Sequence, residues 1–131
     1  MVRSERIDQE IALLRQRFAN LERQGDWIKL PSYPLPPGWN RDKTDVAFVI
    51  PPAYPGTPPY GFFVPIGLRC GEKQPGSYTE PSKEPVPFEG KWGKFSWSPI
   101  DGQWLAKEPI TAGRNLMNWA EGIANRFREA S

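Results

Sequence analysis

The 131-residue chain has room for one domain, and its formal charge of +2 comes from seventeen Lys and Arg against fifteen Asp and Glu spread without a basic block, so no nucleic-acid surface is expected. Six Trp, seven Phe and four Tyr argue against disorder and for a core built from rings. A single cysteine, Cys70, and the absence of histidine exclude a disulfide framework, Cys-rich zinc clusters, the His-Glu-x-x-His motif and the Ser-His-Asp and Cys-His nucleophile arrangements, and no metal or cofactor is expected.

No apolar run approaches the ~18 residues of a membrane span, and the start Met-Val-Arg-Ser-Glu-Arg lacks the apolar stretch of a signal peptide. The expected compartment is therefore the cytoplasm, with no membrane partner. Residues 4–24 place Ile7, Ile11, Leu14, Phe18 and Leu21 at spacings of three and four, which predicts an amphipathic helix with Ser4 as N-cap and Gly25 just past its end. Such a seam packs on the domain's own sheet or forms a short coiled coil with a partner.

Four prolines between Trp27 and Trp39 allow only a short or edge strand at residues 27–30. Residues 45–50 are almost continuously apolar and predict a central strand, followed by a neighbouring strand at 60–64. The two are joined by a proline-rich connection, making a meander over 27–64. Residues 65–110 read as a long loop region, with at most a short strand inside 65–90 and an alternating aromatic stretch at 91–97. A final helix over 111–129 is expected, with Thr111 as N-cap and Leu116, Ala120, Ile123 and Phe127 on one face, widened by Trp119. Helix, antiparallel strands and helix define an α+β class for one domain spanning 1–131.

The connection reads Tyr54-Pro55-Gly56-Thr57-Pro58-Pro59, after the 45–50 strand and before Phe62-Phe63-Val64, and Trp104 precedes the last helix. This arrangement resembles the ubiquitin-conjugating (E2) superfamily, and more closely its bacterial branch known as prokaryotic E2 family E. The resemblance implies a UBC fold with an N-terminal helix, an antiparallel meander and a C-terminal helix. It also implies a bacterial ubiquitin-like modification system with a ubiquitin-like protein, an E1-like enzyme or a JAB-type peptidase as partners. The chain departs from the family's catalytic pattern: there is no His-Pro-Asn and no cysteine at the family's position shortly before Trp104, and Ser96, within Phe95-Ser96-Trp97, is nearest that position.

Three residues are candidates for chemistry. Cys70 lies between Arg69 and Lys73, cations of the kind that favour a thiolate, but comes earlier in the chain than the family's cysteine. Ser96 needs a base, for which Asp101, Glu89 or a lysine is available. The structural alternatives are a surface or half-buried cysteine and a turn serine between aromatic residues. Tyr54, Pro55, Pro58, Pro59, Trp97 and Trp104 are the candidate binding residues; their structural alternative is a turn preset by proline φ angles and anchored by rings. The expected role is a noncatalytic E2-like adaptor, comparable to inactive E2 variants. The alternatives are an active conjugating enzyme using Cys70 or Ser96, and a structural module unrelated to conjugation.

Overall fold

The computed structural model describes residues 2–98 and 104–130. Its elements are α1 (Arg3–Arg17), β1 (Glu22–Gln24), β2 (Trp27–Pro34), β3 (Lys43–Val49), β4 (Phe62–Pro65), β5 (Tyr78–Thr79), β6 (Trp92–Phe95), a 3-10 turn (Ile110–Ala112) and α2 (Leu116–Ala130). Among the described residues, six strands form one antiparallel sheet in the order β1-β2-β3-β4-β6-β5. The expected α+β order of helix, antiparallel strands and helix is what the chain adopts, and β1 to β4 pair in chain order as a meander.

Successive strand residues point to opposite faces, and here both faces are covered. Val46, Phe48, Phe62 and Val64 enter the main core with Ile7, Ile11 and Leu14 of α1 and Leu116, Trp119, Ala120, Ile123 and Phe127 of α2. Ala47 and Phe63 enter a smaller cluster with Phe88 and Trp92, against which Trp27 and Val86 pack. Two-sided burial explains the near-continuous apolar run at 45–50. Each large apolar side chain buried this way contributes roughly 1.5–3 kcal/mol. On the second face, Lys94 Nζ lies 3.0 Å from Glu84 Oε2 and over the Phe63 ring, a contact that links the 80–90 segment to the sheet.

The N-terminal helix is shorter than its periodicity predicts. It ends at Arg17, and its N-cap is Val2 with no side-chain bond, not Ser4. Leu21 is buried outside the helix. Residues 22–24 instead pair with β2 across the two-residue turn Gly25–Asp26, where Gly25 has φ 59°. A hairpin turn that needs positive φ explains this glycine better than a helix end does, and strand pairing outweighs the weak helical preference of the segment.

β2 is longer than expected and internal, lying between β1 and β3. The prolines are accommodated by a register shift between Leu30 and Tyr33. There Ser32 takes φ 57°, and its N–H donates to Asp45 Oδ1 at 3.1 Å. A bulge lets Pro31 stand in a strand where a regular ladder would need its missing donor.

The last helix starts later than Thr111. Thr111 belongs to the 3-10 turn, Gly113 breaks it, and α2 begins at Leu116. Asn115 is the working cap: its Oδ1 accepts Asn118 N–H at 3.1 Å, while Asn118 Oδ1 accepts Asn115 N–H at 2.9 Å. This is a capping box made from two asparagines.

Gly93 tests how closely β5 sits on β6, because a Cβ there would strike Tyr78 at Oη, Cζ and Cε1. Gly93→Ala should lower stability by about 1–3 kcal/mol, the usual cost of overpacking. Gly76→Ala, whose Cβ meets nothing within 4 Å, should stay within about 0.5 kcal/mol of wild type. Urea unfolding of the two variants checks the difference.

Candidate functional site

The proline segment leaves the end of β3 and re-enters the sheet at β4. It is folded by successive turns, with Tyr54 N–H donating to Pro51 O at 3.0 Å and both Gly56 N–H and Thr57 N–H donating to Ala53 O at 2.9 and 3.2 Å. The Tyr54 ring is turned inward and is only 1% exposed. Its hydroxyl donates to Glu10 Oε1, an oxygen that also accepts Leu116 N–H at 2.6 Å. Glu10 Oε2 takes Arg6 Nε at 2.7 Å. One buried carboxylate therefore holds α1, the proline segment and the first residue of α2.

Neighbouring bonds extend this tie. Arg6 donates onward to Lys107 O at 2.8 Å and Arg114 O at 3.4 Å. Arg3 donates to Tyr54 O and Pro51 O, both at 2.9 Å. Trp104 Nε1 donates to Pro55 O at 3.1 Å, with its ring 6.0 Å from that of Tyr54. Burial raises the Tyr54 pKa, and the hydrogen bond to Glu10 raises it further. The phenol accordingly remains a donor throughout the ordinary pH range.

Glu10 and Arg6 were not among the residues singled out from sequence. Their signal is nevertheless legible: Ile7, Glu10, Ile11 and Leu14 share one helical stripe, and Arg6 stands four residues before Glu10. A carboxylate on an apolar stripe must find partners when buried.

Of the candidate binding residues, Tyr54 and Pro59 are buried, while Pro55, Pro58, Trp97 and Trp104 are half-buried. The segment presents Pro52, Ala53, Gly56, Thr57 and Tyr60 outward, with Tyr60 59% exposed. Trp97 packs at a tilt on Trp119, with ring centroids 5.2 Å apart, and meets Phe62 edge-on at 6.0 Å. The indole N–H groups of Trp97 and Trp119 are buried and have no acceptor among the described residues. The end of the proline segment is tied to Trp97 by Gly61 N–H donating to Trp97 O at 2.7 Å. Trp97 and Trp104 are thus both brought to this segment.

Ser96 is exposed, and its N–H donates to Ser77 O at 2.9 Å. Among the described residues, no carboxylate or amine hydrogen-bonds its hydroxyl. Glu89 is exposed, in the connection before β6, and Asp101 lies outside the described residues.

Cys70 is half-buried and lies away from the proline segment. It follows the exit of β4, bridging Trp39 and Lys73 near the start of β3, whereas the proline segment joins the other ends of these strands. Arg69 is committed to Glu80, its Nη2 lying 2.5 Å from Glu80 Oε1. Glu80 Oε2 also accepts Gly67 N–H at 2.9 Å and the Tyr78 hydroxyl at 2.7 Å. Asn40 accepts Arg69 N–H and donates to Gly67 O, both at 2.9 Å. The stretch around Cys70 is pinned to the sheet at several points.

Among the described residues, no group of three or more His, Cys, Asp or Glu is placed to hold a metal, and no helix is long and apolar enough to cross a membrane. Comparison with family models, curated proteins and solved structures finds no match.

Removing the Glu10 carboxylate strands a guanidinium, a phenol and an amide in the core. Glu10→Ala should cost about 3–5 kcal/mol, and Tyr54→Phe, which removes one donor, about 1.5–3 kcal/mol, both read by urea unfolding.

Glu80 predicts a separate acid sensitivity. The Arg69 hydrogen bond foremost, then those from Gly67 and Tyr78, lower its pKa from 4.5 to about 2 against an opposing effect of burial. A lowered folded-state pKa supplies stability that is present above the unfolded value and lost as pH falls through the folded one. Stability measured from pH 5 to pH 2 should fall more steeply in wild type than in Glu80→Gln.

Proposed function

We propose that this chain is a noncatalytic adaptor built on an E2-like scaffold, docking a ubiquitin-like protein or a conjugation partner through the surface formed by the proline segment. The observation that carries the reading is the placement of Tyr54-Pro55-Gly56-Thr57-Pro58-Pro59. It joins β3 to β4 of an antiparallel meander, it is bound from within by Glu10 and Trp104, and its outer side is left open. A segment held rigid from beneath presents its exposed groups at little ordering cost on association. Tyr60 is the expected anchor, a large amphipathic ring of the type favoured at interface centres.

The noncatalytic part of the proposal rests on where the nucleophiles lie. Cys70 is at the opposite end of β3 and β4 from the docking segment, and the Ser96 hydroxyl has no base bonded to it among the described residues. Attack on an acyl group by serine requires such a base.

The test combines the protein with the E1-like enzyme, ATP and ubiquitin-like protein of the same bacterial system. Expected are saturable binding to one of these components, weakened at least about tenfold by Tyr60→Ala, and no covalent adduct. A thiol-reducible adduct abolished by Cys70→Ser, or a hydroxylamine-sensitive one abolished by Ser96→Ala, would establish a conjugating enzyme instead. Absence of binding to every component would leave a structural module.

A further inference from the structure

Two arginines are buried among the described residues, and they differ in their partners. Arg6 has the carboxylate of Glu10. Arg126, in the second half of α2, is 9% exposed and has no carboxylate partner among the described residues. Its guanidinium carbon lies 5.2 Å from the centroid of the Phe95 ring of β6, and its Nη2 donates to Gly76 O, two residues before β5. A buried charge is costly unless it is paired, and one neutral carbonyl with one ring face does not supply a counter-ion.

An anion stands within reach along the helix. Glu129 follows Arg126 by three residues, a spacing that brings helical side chains together, yet it is exposed and makes no ion pair among the described residues. Arg126 is turned inward instead.

The inward position is not sealed. Among the described residues, the buried side-chain nitrogens that lack a bond are the indole nitrogens of Trp97 and Trp119, so Nε and Nη1 of Arg126 keep accessible surface. Nη2 carries one hydrogen on each donor edge of the planar guanidinium; the Gly76 carbonyl takes one edge and leaves the other whole. Gly76 and Ser77, both exposed, stand at the rim, and a Cβ at Gly76 would meet nothing within 4 Å. With so little of the side chain exposed, the opening suits a group of a few atoms and not the surface of a macromolecule.

We infer that Arg126 binds a small oxyanion, the carboxylate or phosphate group of a ligand, on the guanidinium edge that Gly76 leaves unused. Both groups match two parallel N–H donors. Neither Arg126 nor Gly76 belongs to the docking segment, so the inference stands apart from the proposed function.

The test titrates the full chain with inorganic phosphate and, separately, with acetate, at an ionic strength held constant with sodium chloride, and follows amide NMR shifts and urea unfolding. Wild type should show saturable shifts at Gly76 and Ser77 with at least one of the two anions, and the one that saturates at lower concentration identifies the group. Arg126→Gln should bind that anion at least about tenfold more weakly. Wild type should also gain stability over Arg126→Gln as the site fills, a comparison that removes the general stabilising effect of phosphate. If Arg126→Gln does not fold, Ser77→Asp makes the same test. Aspartate accepts the φ of 54° at this position and sets a carboxylate beside the Gly76 carbonyl, so it should occupy the site and abolish the response, while Ser77→Asn keeps it. Absence of saturable shifts with both anions, or an undiminished response in Arg126→Gln or Ser77→Asp, would overturn the proposal.

Discussion

Glu10 has no exposed surface, and its two oxygens take a guanidinium from its own helix, a hydroxyl from the proline segment and the first amide of α2. Few other single groups in the described structure join segments so distant in sequence. A buried ion pair alone would be weak grounds for stability, since desolvation offsets much of its attraction. Here the carboxylate is also saturated by neutral donors, and that saturation converts a costly burial into a three-way fastening. The sheet could pair without it; the placement of the proline segment and of α2 relative to α1 could not be held in the same way.

Much of the architecture is visible in residue order because local pattern and tertiary demand agree. Residues 45–50 read as central because both faces of β3 are buried, and Leu116, Ala120, Ile123 and Phe127 align because α2 packs on one side of the sheet. The illegible parts are those where a distant residue decides. Residues 18–24 continue a helical spacing, yet residues 22–24 are claimed by pairing with β2, and Pro31 sits inside a strand at a register shift, where Asp45 accepts the neighbouring Ser32 amide. The cap of α2 is illegible for a different, local reason: Asn115 and Asn118 bond each other, a pair less conspicuous than Ser or Thr followed by Glu.

The candidate site was legible in its location and less so in its orientation. Tyr54-Pro55-Gly56-Thr57-Pro58-Pro59 stands where its order in the chain places it, between β3 and β4, yet the tyrosine faces the core and Tyr60 faces solvent. A burial difference between two tyrosines six residues apart depends on Glu10, which lies in another element. The same topology separates Cys70 from this segment by the length of β4, a separation that chain distance from Pro59 does not reveal. The proposed docking role rests on the internal bonds of the proline segment and on its separation from Cys70.

The central claim is that Glu10 couples α1, the proline segment and the start of α2 into one unit. Hydrogen exchange of Glu10→Gln against wild type, under conditions where both remain folded, tests it directly. The account predicts that the amides of Leu116, Tyr54, Gly56 and Thr57 lose protection together while those of β2 and β3 keep theirs. Loss confined to α1, or unchanged protection at both Leu116 and the proline segment, would contradict it.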